Sequence, residues 1–252
     1  MKKVGIIGGL GPMAMVYFLQ LITEMTDASK DQEHIELLIH SKPQTPDRTG
    51  YIVGKSNENP LLVLTEVGLE LVQCGVEFIA IPCITAHYFQ KELEKQIGCS
   101  IIHAIEETAK YLKSENITKI GLMATDGTIE SKLFQHIMER YQMECFIPSR
   151  ENQSYVMHLI YENVKAGKEP EMELFYRVSD ELFGMGAQVV LLGCTELSLI
   201  KRDNVLEDGF LDVLEVLARQ VVVLSEAKLK PKYMRLITGE SRNIRETERV
   251  EQ

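Results

Sequence analysis

Two similar stretches decide the fold: GVEFIAIPC at residues 75–83 and GAQVVLLGC at residues 186–194. Each begins with a glycine, continues with a short apolar run typical of a buried parallel strand, and ends with a cysteine. The segments align without a gap, and Cys83 and Cys194 lie 111 residues apart. A helical pattern precedes each glycine and another follows each cysteine. This repeat predicts that the chain contains two related halves.

The beginning of the chain repeats in the same way. KVGIIG at residues 3–8 resembles KIGLMA at residues 119–124, at an offset of 116 residues. Similar offsets at two places predict two halves of about 110 residues each. Because apolar runs alternate with helical patterns, the sheets should be parallel. We therefore expect an α/β protein with two pseudosymmetric Rossmann-like parallel-sheet domains and the active site in the cleft between them.

The predicted domains are residues 1–100, completed by residues 210–230, and residues 101–209, followed by a polar C-terminal tail at residues 231–252. Strands are predicted at residues 4–7, 35–39, 78–81, 120–123 and 189–192, with shorter candidates at 101–102 and 210–211. Helices are predicted at residues 14–26, 60–73, 106–114, 131–139, 152–165, 171–183 and 214–229. Residues 41–59 lack periodicity, and loops of that length are usually functional or disordered.

The composition is that of an ordinary globular protein, with 252 residues, 45% of them hydrophobic, and a formal net charge of −10. This negative charge argues against a nucleic acid or a membrane surface as a partner. No apolar run approaches the roughly 18 residues of a membrane span. No small-residue cleavage site follows the apolar stretch near the N-terminus, so we expect a cytoplasmic protein.

Five cysteines cannot all pair within one chain, and in the cytoplasm we expect free thiols. Cys74, Cys99 and Cys145 are expected to be small buried hydrophobic residues. Cys83 and Cys194 instead follow strands, where ligands of open α/β sheets bind. The partial positive charge of a helix N-terminus there favours the thiolate form.

Two thiols that face a cleft from opposite halves suit proton transfer at a carbon atom. One thiol, as thiolate, removes a proton from one face, and the other delivers a proton to the opposite face. Such a pair inverts a stereocentre without a metal or a pyridoxal cofactor. We predict no metal site, because Cys83 and His87 have no third ligand nearby in the sequence.

A series of motifs supports this chemistry: GIIGGLGP at 5–12, DQEH at 31–34, PQTPDRT at 43–49, YIVGK at 51–55, PCITAH at 82–87, IEETA at 105–109, ATDGTI at 124–129, VKAG at 164–167 and GCTE at 193–196. Together and in this order they resemble the aspartate/glutamate racemases, and specifically the cofactor-independent aspartate racemase branch. The motifs run through most of the chain.

The resemblance implies that Cys83 and Cys194 are the catalytic acid/base pair, that Cys83 acts on the D-enantiomer and Cys194 on the L-enantiomer, and that no cofactor takes part. It also implies an acidic amino acid as substrate and a homodimer as the assembly. The substrate-binding positions that it implies are Gly11, Asp47, Arg48, Thr49, Ile84, Thr85, Ala86, Thr125, Thr128, Lys165 and Thr195. Arg48 and Lys165 match the basic residues that hold the side-chain carboxylate, and a chain of charge −10 needs such local cations to bind an acidic substrate.

Two positions depart from the family pattern. Ile84 stands where the family usually has Asn, and Met15 stands where Thr is usual. Loss of a polar contact to a charged group costs a few kcal/mol, or roughly a hundredfold in rate. Two alternatives therefore stay open: a related carboxylic-acid isomerase or decarboxylase of the same superfamily, or an amino-acid-binding protein without catalytic activity.

Overall fold

The computed structural model of the protein describes residues 1–239. Within them the strands form two parallel sheets. The first sheet has the order β2-β1-β3 and is built from β1 (Val4–Gly8), β2 (Leu37–Ser41) and β3 (Phe78–Ala80). The second has the order β5-β4-β6-β7 and is built from β4 (Lys119–Met123), β5 (Glu144–Phe146), β6 (Val189–Leu192) and β7 (Phe210–Asp212). The predicted class, an α/β fold with two parallel-sheet domains, is confirmed.

The α-helices of the described residues are α1 (Pro12–Met25), α2 (Arg48–Ile52), α3 (Pro60–Gln73), α4 (Gln90–Ile97), α5 (Ala104–Ser114), α6 (Asp126–Glu130), α7 (Leu133–Arg140), α8 (Arg150–His158), α9 (Met172–Gly184), α10 (Thr195–Asp203) and α11 (Val213–Leu224). A π-helical turn, Leu159–Val164, continues α8, and 3-10 turns cover Asp31–Glu33, Ile84–Phe89 and Pro231–Tyr233.

The sequence repeat occupies equivalent places in the two sheets. β1 pairs with β3, with Val4 opposite Phe78, and β4 pairs with β6, with Ile120 opposite Val189. β3 and β6 are buried along their whole length, as their apolar sequences require. Each half thus contains a central strand next to the strand that leads to a cysteine.

The two halves also share a hydrophobic core. The largest cluster of buried side chains runs from β1 through α11 to β4. α11 packs against both α1 and α5, and its Val221 and Val222 are fully buried. The burial of this apolar surface joins the two sheets into one body.

Three local predictions are wrong. β2 lies two residues later than expected, β5 was not expected, and the helix expected at residues 214–229 ends at Leu224. Residues 41–59, which lack periodicity in the sequence, contain the short helix α2. Ile101 makes only an isolated bridge to Ile79. Strand ends are hard to place because edge strands such as β2 and β5 are only partly buried and carry a weak apolar pattern.

The predicted domain assignment is wrong for β7. Phe210–Asp212 does not complete the first sheet, because it pairs with β6 in parallel and forms the edge of the second. Its apolar residues cover the open edge of β6, which explains their full burial. We propose that the division between the halves lies near residue 100, with α11 as a shared element.

The predicted polar tail begins as an ordered part of the second half. Leu236 and Ile237 are buried. Thr238 donates its amide to the Phe210 carbonyl at 2.9 Å and accepts from Gly209 at 2.8 Å. Residues 231–239 are therefore not an appendage, and residues 240–252 of the predicted tail lie outside the described residues.

The expectation that Cys74, Cys99 and Cys145 are buried is wrong for all three. Cys74 is exposed at the end of α3, and Cys99 and Cys145 are only partly buried, whereas Cys83 and Cys194 are buried. In the described part of the chain, no helix is long and apolar enough to cross a membrane.

Candidate active site

Both repeat cysteines lie at the carboxyl ends of parallel strands. Cys83 follows β3 and occupies the N-cap position of the 3-10 turn Ile84–Phe89, and Cys194 follows β6 and occupies the N-cap position of α10. Only 6% of Cys83 and 5% of Cys194 is exposed. Both line the same cavity between the two halves, whose volume is about 10 Å³. Such a cavity has room for about one water molecule.

A network of threonine hydroxyls crosses this cavity from one half to the other. Thr49 donates to Thr125 at 3.1 Å, and Thr85 lies 3.2 Å from Thr125 and 3.0 Å from Thr128. Thr125 also caps α6, where it accepts from the Thr128 amide at 3.3 Å. Thr49 and Thr85 belong to the first half and the other two to the second. The hydroxyls can therefore bind one small anion from both sides.

Arg48 supplies a buried positive charge in the first half. α2 begins there because the Asp47 side chain accepts from the Gly50 amide at 2.6 Å. The guanidinium donates to three neutral carbonyls: Thr45 at 3.2 Å, Pro46 at 3.0 Å and Leu10 at 3.4 Å.

The Arg48 charge bears directly on Cys83. Burial lowers the pKa of Arg48, but its interactions with Cys83 and Asp47 more than offset burial, so the pKa lies above its usual value. Within residues 1–239 its Nε atom has no hydrogen-bond partner. A buried guanidinium with free donor capacity beside a thiol is suited to hold an anion.

Cys194 has a negative neighbour instead. Its thiol donates to Glu196 Oε2 at 2.9 Å, and only 4% of Glu196 is exposed. Burial first, and then the Glu196 carboxylate, raises the pKa of Cys194 well above its usual value, and Lys165 partly offsets this. Gly11 leaves space for the carboxylate, because a Cβ atom there would lie 3.1 Å from Glu196 Oε1.

The π-helical turn presents two further side chains to the cavity. Lys165 closes the turn by donating its amide to the Ile160 carbonyl at 3.0 Å, five residues earlier. Its ammonium lies 4.1 Å from the centre of the Tyr161 ring and 4.0 Å from Glu196 Oε1. Burial lowers the pKa of Lys165, but Glu196 and Cys194 raise it above its usual value.

The structure brings most of the predicted site residues together. The cavity is lined by Asp47, Arg48, Thr49, Cys83, Ile84, Thr85, Thr125, Lys165, Cys194 and Thr195. Thr128 reaches it through the hydroxyl network and Gly11 through Glu196. Ala86 is fully buried and does not line the cavity.

The sequence predictions did not include three residues that line the cavity: Leu10, Tyr161 and Glu196. The sequence did contain a signal for Glu196, because this residue is the last one of the GCTE motif. Tyr161 lies four residues before Lys165, a spacing that places two side chains on one helix face. Leu10 offers its carbonyl to Arg48, and a backbone contact of this kind has no signature in residue type.

The profile of the Asp/Glu/Hydantoin racemase family matches residues 7–221. The chain belongs to this family. A broad specificity amino-acid racemase, RacX of Bacillus subtilis (strain 168), is 23% identical over 227 residues, which cover 87% of this chain and 96% of that protein. A glutamate racemase of Aquifex aeolicus (strain VF5) is 28% identical over 138 residues, which cover 51% of this chain and 50% of the other.

Solved structures of racemases share the whole fold. Picrophilus torridus aspartate racemase is 29% identical, with a TM-score of 0.80, and the match covers 93% of this chain and 98% of that one. An aspartate racemase homologue from Pyrococcus horikoshii OT3 shares the fold with a TM-score of 0.72 at 23% identity, over 90% of this chain and 100% of that one. The protein is therefore a racemase-type isomerase, and the decarboxylase and binding-protein alternatives are not favoured.

Proposed function

We propose that the protein interconverts the D- and L-enantiomers of an acidic amino acid, aspartate in the first place, by cofactor-independent two-base proton transfer. One observation carries this proposal: each half contributes one thiol and one cation to the same buried cavity. Cys83 and Arg48 come from the first half, and Cys194 and Lys165 come from the second. Two thiols supply the base and the acid, and the two cations suit a substrate with an acidic side chain.

Charge assigns the roles of the two thiols in the resting site. Arg48 lies beside Cys83 and can stabilise a negative charge there, so we assign the role of base to Cys83. Cys194 donates a hydrogen bond to Glu196 and has a raised pKa, which makes it the thiol. In this state Cys83 is ready to remove the α-proton from one enantiomer, and Cys194 is ready to deliver a proton to the opposite face.

The protons balance over one turnover. Cys83 takes the α-proton and leaves a carbanion, whose charge spreads into the α-carboxylate. Cys194 gives its proton to the carbanion and becomes a thiolate, which the ammonium of Lys165 stabilises. The reverse reaction begins from this second state, and proton exchange with water restores the first.

The remaining groups hold the substrate in this proposal. The threonine hydroxyls receive the α-carboxylate, where they stabilise the charge that develops during proton removal. The unused donors of Arg48, together with Lys165, receive the side-chain carboxylate. Ile84 is buried and apolar, so it offers no hydrogen bond to the amino-acid head group.

The closed cavity adds a conformational step. A volume of about 10 Å³ cannot contain an amino acid, so we propose that the halves separate to admit substrate and close again around it. Closure excludes water and strengthens each charge interaction in the site. The homodimer and the cytoplasmic location that the sequence led us to expect remain part of this proposal.

Incubation of each enantiomer in D₂O tests the proposed function. We expect α-deuterium incorporation and formation of the opposite enantiomer from both L- and D-aspartate, followed by NMR and by chiral chromatography. Glutamate and a wide panel of neutral and basic amino acids define the specificity. If no amino acid exchanges its α-proton, the racemase proposal is wrong.

A further inference from the structure

The closed catalytic cavity lies beside a much larger open one. This second space, which we call the outer cavity, has a volume of about 460 Å³ and lies between α2 and the α8 helix with its π-helical turn. Asp47, Thr49 and Tyr161 line both cavities. These shared residues form the wall between the site of proton transfer and a space open to solvent.

Of the three wall residues, Tyr161 is the one whose side chain neither caps a helix nor belongs to the hydroxyl network. Asp47 caps α2, and Thr49 belongs to the hydroxyl network. Tyr161 crosses from the second half, donates its hydroxyl to Asp47 Oδ2 at 3.4 Å and lies beside Thr49. Its ring therefore fills the gap between the halves at the point where the two cavities meet.

The ring also lies where the end of the substrate is expected. Lys165, which we proposed as a ligand of the side-chain carboxylate, has its ammonium 4.1 Å from the centre of the Tyr161 ring. A carboxylate bound to Lys165 would therefore approach the ring. One further methylene group would push that carboxylate against Tyr161.

We propose that Tyr161 limits the length of the substrate side chain, and that the outer cavity can receive longer acidic side chains once the ring is removed. This inference rests on the proposed racemase function. Val53 and Met157 offer the outer cavity apolar surface for extra methylene groups. The open mouth of the cavity lets a terminal carboxylate stay hydrated, so it avoids the desolvation cost of burial.

The test compares Tyr161→Ala with Tyr161→Phe, because the second variant removes only the hydroxyl and keeps the ring. Values of kcat/KM are measured for aspartate, glutamate and 2-aminoadipate. We expect the glutamate-to-aspartate ratio to rise by at least about tenfold in Tyr161→Ala, which is the scale of one methylene group in a shaped pocket. In Tyr161→Phe the ratio should stay close to that of the wild type.

A second substitution tests whether the outer cavity is the space used. Ser154 lines that cavity from the exposed side of α8 and does not line the catalytic one. Ser154→Phe, added to Tyr161→Ala, should refill the space and bring the ratio back towards its wild-type value. If the glutamate-to-aspartate ratio stays raised in the double variant, the proposal is wrong. An equal rise of this ratio in Tyr161→Phe would also overturn it.

Binding of unreactive dicarboxylates gives a readout that needs no turnover. Malonate, succinate, glutarate and adipate are ranked by thermal stabilisation of the wild type and of Tyr161→Ala, and we expect the preference to move towards glutarate and adipate. Circular dichroism establishes whether the variant folds, and Tyr161→Leu replaces it if it does not. An unchanged ranking in a folded variant overturns the role of Tyr161, whereas absence of α-proton exchange in the wild type rejects the racemase proposal instead.

Discussion

The two cysteine loops have the same place in the fold and opposite electrostatic surroundings. Cys83 follows β3 and lies beside the guanidinium of Arg48, whereas Cys194 follows β6 and donates its thiol to the carboxylate of Glu196. The repeated backbone brings both sulfur atoms to one cavity. Side chains that have no counterpart in the repeat then make the two thiols different, which a two-base reaction requires.

The two halves also differ in the buried titratable group near each cysteine loop. In the first half His87 is buried, stacks on His103 and lies 2.8 Å from Gln90 Oε1 through its Nδ1 atom. Burial, reinforced by His103, lowers the pKa of His87 to about 4. In the second half Asp212 is buried, accepts from Ser198 at 2.7 Å and caps α11, and burial raises its pKa to about 7.

The largest expected effect comes from removal of either thiol. Cys83→Ala and Cys194→Ala should each lower the rate of racemisation by about 10⁴-fold, since general acid or base catalysis contributes up to that amount. In D₂O each variant should still exchange the α-proton of the one enantiomer that faces its remaining thiol, with retention of configuration. Chiral chromatography combined with NMR separates exchange from inversion.

Cys74→Ala is the matched control, because Cys74 is exposed and lies outside the cavity. It should racemise at the wild-type rate. If either single variant still inverts substrate at full speed, the two thiols do not form an acid/base pair. If both variants exchange the same enantiomer, the opposite placement of the thiols is wrong.

The features that were predictable from sequence are those encoded by neighbouring residues. Glycine, apolar run and cysteine follow one another in the chain, so β3, β6 and the positions of Cys83 and Cys194 could be read directly. The C-terminal segment could not, because Leu236 and Ile237 are isolated apolar residues whose burial depends on pairing with β7.

The site residues also divide into those that the sequence predicts and those that only the fold brings together. Arg48 and Lys165 were expected through family resemblance, but the carbonyls that hold Arg48 come from two separate loops, one with Thr45 and Pro46 and the other with Leu10. The sequence does not single out Glu196 as a site residue, because an acidic residue at a helix start also interacts favourably with the helix dipole. Only its burial between Cys194 and Lys165 gives it a role in the cavity.

Asp212→Asn tests the second half through stability. The pKa of Asp212 rises from 3.8 in the unfolded chain to about 7 in the folded one, so folding takes up a proton between these pH values. The wild type therefore loses about 4 kcal/mol of stability as the pH rises through this window. Asn can keep the cap of α11 but cannot ionise.

In urea unfolding followed by circular dichroism, the free energy of unfolding of Asp212→Asn minus that of the wild type should increase by about 4 kcal/mol from pH 4 to pH 8. Ser198→Ala is a useful companion, because it removes the hydrogen bond at 2.7 Å and leaves the carboxyl group in place. A difference for Asp212→Asn that is independent of pH would show that Asp212 is not protonated in the folded protein near neutrality.

His87→Gln tests the first half, with the opposite sign. The pKa of His87 falls from 6.5 in the unfolded chain to about 4 in the folded one, so the unfolded chain binds a proton that the folded protein does not. The wild type loses about 3 kcal/mol as the pH falls through this window. The unfolding free energy of His87→Gln minus that of the wild type should rise by this amount from pH 6.5 to pH 4.

His136→Gln, at an exposed position on α7, is the control for removal of a histidine. If the unfolding free energy of His87→Gln has the same pH dependence as that of His136→Gln, His87 is not buried in its neutral form.

Glu196→Gln is the finest test of the contrast between the two thiols, because it removes one charge and keeps a hydrogen-bond acceptor for Cys194. Burial still raises the pKa of Cys194, but the Glu196 contribution is lost, so the pKa of this thiol should fall. Cys194 must be protonated to deliver its proton, and the rate is lost as the pH rises through its pKa. The alkaline limb of the kcat/KM profile should therefore move to lower pH, with a loss of about tenfold on that limb and little change at lower pH.

Glu173→Gln, on the exposed first turn of α9, is the control and should leave the pH profile of kcat/KM unchanged. If the alkaline limb of Glu196→Gln stays with that of Glu173→Gln, the charge of Glu196 does not keep Cys194 protonated, and the asymmetry between the two cysteine loops must arise from Arg48 alone.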